Sequence, residues 1–263
     1  MSITMKRTTS SEKIKQLNVQ HHKEANVYDK ARAWSDLEPI TAKSVRDIKL
    51  YKDRTVMLDI AAGTGRVSEY FKPKVKTVVG LDISPDMIQV AQAENRIDVG
   101  VIAPGEKTPF LDNSFDLIYC RSAMHYMDQK KAVKEWVRVA RDGGYVIVAD
   151  ASFDNEIVNK WYEKMLQCIL PQMKLVYHKK VIGMFNALGQ KNTDHKTFMV
   201  HGSLNDVLTR KHTPPKRVKA VKEMYENAPA VVKDIMNIHK VGDDFEFKFG
   251  WTITRCKVEK PKA

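Results

Sequence analysis

The stretch Val56-Met57-Leu58-Asp59-Ile60-Ala61-Ala62-Gly63-Thr64-Gly65 holds an apolar run, a carboxylate inside it and two glycines one residue apart. Helical spacing follows at once. A strand, a Gly-x-Gly turn and a helix form a nucleotide-binding unit, because the glycines let the backbone approach a ligand and the helix N-terminus adds positive potential. Alone, the glycine pair is a weak sign, since such turns also serve tight packing. Asp82 strengthens it. It closes the next apolar run 23 positions after Asp59, where a carboxylate can accept hydrogen bonds from both hydroxyls of a ribose. Ser84, rather than Asp82, is placed to cap the helix that Pro85 opens.

Two features narrow the ligand. A dinucleotide fingerprint would place a third glycine where this chain has Ser68, and no Gly-Lys-Ser/Thr follows, which excludes a P-loop. Asp59, an acid within the strand end, suits a cationic or amine-bearing ligand better than a pyrophosphate.

These residues need a scaffold, and the apolar pattern supplies one. Residues 56–60, 77–81, 99–103, 115–120 and 145–149 read as buried strands. Between most of them lie amphipathic helices. Residues 85–95 place Met87, Ile88 and Ala91 on one face, and residues 129–140 do the same with Ala132, Val133, Trp136, Val137 and Ala140. Arg141-Asp142-Gly143-Gly144 is read as the stop of the second helix, with glycine in the left-handed turn. Strands alternating with helices imply a doubly wound, mostly parallel sheet of the α/β class. Residues 11–50 look helical, with Glu38-Pro39 as a helix start and Ala42, Val45, Ile48 and Lys49 at helical spacing. After Asp150 the rhythm is lost. Residues 152–240 read as mainly helical, broken at Pro171, Gly183, Gly189, Gly202 and Pro214-Pro215. Phe245, Phe247 and Phe249 then alternate with Glu246 and Lys248, which predicts two strands returning to the sheet edge. The expected organisation is an N-terminal helical arm (1–50), a binding core (51–151), a helical insertion (152–240) and returning strands (241–263).

The core motifs resemble those of class I S-adenosylmethionine-dependent methyltransferases. "LDIAAGTG" and "VVGLDISPDMIQVAQ" are similar to the first two motifs of that family. "GEKTPFLDNSFDLIYC" and "MHYMDQKKAVKEWVRVARDGGYVIVAD" are similar to the segments around its fourth and fifth strands. The resemblance covers residues 55–150 and leans towards the small-molecule branch of ubiquinone/menaquinone type. It implies a seven-stranded Rossmann-like sheet, S-adenosyl-L-methionine as cofactor and a lid formed by the insertion. It also implies roles for named residues: Asp59, Ala61, Gly63 and Gly65 around the methionine part of the cofactor, Asp82 on the ribose, and Ile83 and Met87 beside the adenine. Met87 reads equally well as helix core. Tyr28 in "NVYD" resembles the aromatic that closes over the cofactor. The chain departs from the family at Pro104, where many members carry an acid for the adenine amine; Gly105 or Glu106 is expected to take over.

By the same resemblance the reaction belongs near "YCRSAMHYM", with Arg121 and Ser122 beside the methionine end of the cofactor. His125 is the candidate general base because imidazole titrates near neutrality; its bland alternative is shaping the following helix start. Tyr126 is a candidate wall residue. No Asn/Asp-Pro-Pro-Tyr/Phe loop stands here, which disfavours amino methylation of an exposed base. The insertion offers Trp161, Tyr162, Met165, Tyr177, His178 and His195 as pocket or core residues, and its histidines are spaced too irregularly to argue for a metal.

The bulk composition sets outer limits. Charged residues make up 29% and hydrophobic residues 43% of the 263, ordinary for a globular chain. No apolar run approaches a membrane span, and the N-terminus lacks the apolar core of a secretory signal. Cys120, Cys168 and Cys256 are far apart, which predicts free thiols in a reducing cytoplasm. The net charge of +12 suggests an anionic partner, though its lysines are dispersed. The leading reading is a small-molecule methyltransferase acting at O, N or C. The alternatives are an RNA or protein methyltransferase and a cofactor-binding protein without catalysis. Oligomeric state is left open.

Overall fold

The computed structural model describes residues 38–171, 173–210 and 213–261. Tyr28 lies outside them, as does most of the expected N-terminal arm. In chain order the elements are α1 (Glu38–Ser44), β1 (Val56–Ile60), α2 (Arg66–Phe71), β2 (Thr77–Asp82), α3 (Pro85–Ala93) and β3 (Val99–Ile102). Next come β4 (Phe115–Arg121), a single 3-10 turn (Met124–Tyr126), α4 (Gln129–Val139), β5 (Ala140–Ala151), α5 (Glu156–Ile169), α6 (His178–Ala187) and β6 (Thr193–Ser203). The chain continues through α7 (Leu204–Arg210), α8 (Pro215–Glu226), α9 (Ala230–Met236), β7 (His239–Val241) and β8 (Asp244–Lys257).

One sheet runs β3-β2-β1-β4-β5-β8-β6, with β7 paired to β8 to make eight strands among the described residues. The first five strands are parallel, and β8 is antiparallel to both β5 and β6. Strand order reverses between β1 and β4, so the C-terminal ends of β1, β2, β4 and β5 open onto a shared crevice, the usual ligand position in such sheets.

The two apolar faces explain why the strands read as nearly continuous hydrophobic runs. Met57, Tyr119 and Ile147 face a core built with Phe71 of α2, Ile88 of α3 and Tyr162 and Met165 of α5. Leu58, Ile118 and Val148 face Trp136 of α4 and Val181 and Phe185 of α6. Each large side chain buried this way contributes roughly 1.5–3 kcal/mol.

Four expectations need correction. α1 ends at Ser44 and the chain turns at once, so the helix does not reach Leu50. α4 ends at Val139, because Ala140 is already extended (ψ 143°) and begins β5. Gly143, at φ +72°, therefore bends a strand edge rather than capping a helix, and its N–H bonds Val258 O at 2.8 Å. Helices do predominate between Ser152 and Lys240, but the segment also contains β6, an 11-residue strand at the sheet edge. The phenylalanine alternation belongs to one 14-residue strand, β8, lying inside the sheet rather than at its edge. β6 was hidden because its residues are mostly half-exposed and polar, as on an edge strand.

Candidate active site

The loop after β1 turns through three left-handed positions: Ala61 (φ 52°), Gly63 (φ 56°) and Gly65 (φ 82°). Gly65 ends the turn as the cap of α2, and a Cβ there would come within 2.9 Å of Arg96 Cβ. Glycine at 65 is thus required both by conformation and by packing. At Gly63 only conformation matters, since among the described residues a Cβ would meet nothing within 4 Å.

Asp82, at the end of β2, binds two turns together. Its Oδ2 accepts from Gly63 N–H at 2.9 Å and its Oδ1 from Ser84 N–H at 2.9 Å. Ser84 caps α3, accepting from Met87 N–H at 3.4 Å. Ile83 is half-buried beside this carboxylate, whereas Met87 is buried on the inner side of α3.

Asp59 lies deeper, 1% exposed, and its Oδ2 accepts from Ser68 Oγ at 2.7 Å. Burial pushes its carboxyl up to about 7, against the opposing pull of the Ser68 hydroxyl and the Arg121 charge. Ser68, noticed in the sequence only as a missing glycine, is the residue that holds this acid in place.

The remaining expected cofactor residues fall around the same crevice with different engagements. Gly105 is packed tightly, since a Cβ would approach Ile60 Cγ2 and Met127 Cε at 2.9 Å, and its carbonyl accepts from Trp136 Nε1 at 2.9 Å. Glu106 uses Oε1 to accept Asp128 N–H at 3.0 Å, at the start of α4. Arg121 ends β4 near Asp59, and Ser122 follows it at φ 53°, with its N–H bonded to Ala149 O at 2.9 Å. Ala61 and Ser122, both left-handed without being glycine, sit just beyond the ends of adjacent strands β1 and β4. Strain of this kind clusters at ligand sites.

His125 stands in the 3-10 turn after β4, its side chain 7% exposed and its Nδ1 3.4 Å from Asp150 Oδ2. The Asp150 side chain is 9% exposed, and its Oδ1 also accepts Ala151 N–H at 2.9 Å. Tyr126 packs its ring 4.1 Å from the imidazole. Asp150, which the sequence analysis did not single out, is the residue the fold sets against His125. The signal for it was present, since it closes β5 as Asp82 closes β2.

The insertion brings together a second polar group. Ser152, His178, Thr197 and Thr252 are linked side chain to side chain, with Asp154 and His195 at the rim. The three cysteines are free thiols. Among the described residues no helix is long and apolar enough to cross a membrane.

A doubly wound sheet with carboxylates at the tips of β1 and β2 defines an α/β protein with a crevice at its switch point, the usual ligand position. Comparison with known proteins makes this specific. Residues 58–148 match the family model described as a methyltransferase domain. An uncharacterized protein of Methanocaldococcus jannaschii is 33% identical over 174 residues, 65% of this chain and 80% of the relative. A demethylmenaquinone methyltransferase of Renibacterium salmoninarum is 40% identical over 99 residues, 36% of this chain and 41% of that protein. The chain therefore spans about two fifths of that curated relative. The crystal structure of YcgJ from Bacillus subtilis superposes with a TM-score of 0.74 at 21% identity, covering 84% of this chain and 98% of the other. The chain carries a methyltransferase domain over residues 58–148 and belongs with the class I S-adenosylmethionine-dependent methyltransferases.

Proposed function

We propose that the protein methylates a small organic acceptor that loses a proton as it reacts, with S-adenosyl-L-methionine as donor. The observation that carries this reading is the buried His125–Asp150 pair at the ends of β4 and β5. The name of the demethylmenaquinone methyltransferase relative supports an acceptor of small-molecule class.

The residues present fit the cofactor. Among the described residues nothing crowds the backbone at Gly63, Asp82 is oriented by two backbone donors, and a buried acid underlies the turn. Gly63 and Gly65 would let the main chain approach the amino-acid part, and Asp82 would hold the ribose, since a carboxylate oxygen accepts more than one hydrogen bond. Ionised Asp59, with Arg121 nearby, would balance the ligand's positive charge. Ile83 and Met87 would flank the adenine, with Gly105 bounding the pocket through its backbone. Glu106 is bonded to Asp128 and would act there by shaping the wall. Bound in this cradle, S-adenosylmethionine supplies an electrophilic methyl group for in-line displacement.

The chain's own chemistry is then proton removal and alignment. Asp150 accepts the Nδ1 proton of His125, which fixes the tautomer and leaves Nε2 as the base. A positioned base of this kind contributes about 10²–10⁴-fold. Ser122, held to Ala149 O, and Tyr126 would shape the acceptor side, and the insertion would form the lid over it. The net charge of +12 favours the second reading, a nucleic-acid acceptor.

The test is label transfer from methyl-labelled S-adenosylmethionine to small quinols, phenols and carbon acids, run beside total tRNA and rRNA. Transfer to a small acceptor that is lost in His125→Ala supports the proposal. Transfer to RNA only, with steeply salt-dependent affinity, would overturn it.

A further inference from the structure

The polar group in the insertion has a proton deficit. Thr252 donates its hydroxyl proton to Ser152 O at 3.0 Å, so the 2.9 Å contact between the two hydroxyls is donated by Ser152 Oγ. Ser152 Oγ is then the acceptor for His178 Nδ1–H at 3.1 Å. In this neutral tautomer His178 Nε2 carries a lone pair. Among the described residues that atom is buried without a hydrogen-bond partner, in a side chain 3% exposed, and it points at Asp154 Oδ1 3.5 Å away. With His178 in this tautomer, two acceptors face each other across a 3.5 Å gap. An unpaired buried acceptor facing a carboxylate is unfavourable unless something positive lies between them.

A third donor atom completes the group. His195 Nε2 lies 3.2 Å from the same Asp154 oxygen, and its ring stacks on that of His178 at 4.3 Å and 19°. The three ligand atoms all lie within 4.8 Å of one another. Around a tetrahedral ion with bonds of about 2.0–2.1 Å, ligand atoms stand about 3.3 Å apart. Two of the three separations already match, and the third, between the two imidazole nitrogens, closes by a shift of the exposed His195 side chain. A hydrogen bond from the far nitrogen of His178 to Ser152 Oγ is the support that metal-ligating imidazoles usually receive.

We propose that Asp154, His178 and His195 bind one first-row divalent transition-metal ion of the Zn²⁺ class, clipping the loop after β5 to α6 and β6. Two imidazoles and one carboxylate select such an ion over Mg²⁺ or Ca²⁺, which prefer oxygen ligands. The ion replaces the proton that His195 shares with Asp154 and fills the deficit at His178. Solvent reaches it from the Asp154 and His195 side, where a water supplies a fourth ligand. The site is separate from the His125–Asp150 pair and does not depend on the acceptor's identity.

The test is titration of the chelator-treated full chain with Co²⁺, followed by visible d–d absorption, with Zn²⁺ as competitor and Mg²⁺ as control. The expected result is a saturable one-to-one signal displaced by Zn²⁺ and not by Mg²⁺, with Zn²⁺ also raising the melting temperature. His195→Ala and Asp154→Asn, both exposed and safe for folding, should each weaken Co²⁺ binding at least tenfold and abolish the Zn²⁺ shift in melting. His178→Gln tests the buried ligand. No saturable signal, or one undiminished in both His195→Ala and Asp154→Asn, would overturn the assignment.

Discussion

The cofactor half and the insertion half of this protein are joined by different kinds of bond. Around the glycine turn the decisive contacts are short in sequence: Gly63 to Asp82 spans 19 residues and Ser68 to Asp59 spans 9. They link backbone amides or a neighbouring helix to acids at strand ends. In the insertion, Ser152 reaches Thr252 across 100 residues and Thr197 reaches Thr252 across 55. Asp150, Thr252 and Thr197 are register partners across β5, β8 and β6, so that network exists only once the antiparallel end of the sheet has assembled. The proposed donor site is thus built by local turn chemistry, and the proposed acceptor side by sheet closure. His125–Asp150 stands at the border between them.

If the border pair does chemistry, His125→Ala should lower kcat by about 10²–10⁴-fold while cofactor affinity stays within a few-fold. Calorimetry beside steady-state rates separates the two quantities, and an unchanged kcat would return His125 to a purely structural role. Next in size, Asp82→Ala should weaken S-adenosylhomocysteine binding about 100-fold. It removes charge-assisted bonds worth about 1.5–3 kcal/mol each and loosens two turns. Near-wild-type affinity would break the assignment of the donor site to local turn chemistry.

Asp59 sharpens the contrast through pH. Its carboxyl is raised to about 7 in the free protein, and a cationic ligand lowers it again. The complex then binds fewer protons than the free protein below pH 7, so affinity should rise with pH by up to about tenfold per unit and level off above pH 7. Asp59→Asn should flatten that slope. The smallest effect is expected in the other half: Thr197→Val should cost about 1 kcal/mol in chemical unfolding and leave cofactor affinity unchanged. A matching loss of cofactor affinity would show that the two halves are energetically coupled.

Most of the parallel sheet could be read directly. β1 was bounded at Val56 and Ile60, and α3 could be placed from Pro85 and the face shared by Met87, Ile88 and Ala91. That Gly63, Gly65 and Asp82 meet at one turn could be read because φ > 0 positions and strand-end acids have strong residue preferences. β6 escaped because an edge strand flanked by helices carries no buried alternation. Asp150 escaped because a carboxylate ending a strand means little until its partner is known.

The sequence by itself determined the strand–turn–helix units, the acids at their ends and, through those motifs, the family. Such features act over one turn or one crossover, so neighbouring residues suffice to specify them. Only the tertiary structure decided that His125 meets Asp150 and that His178, His195 and Asp154 converge. It also set the burial of Asp59, which lifts its titration towards neutrality. Those outcomes depend on which strands pair and how much water the packing excludes. Neither is encoded in the spacing of residues along the chain.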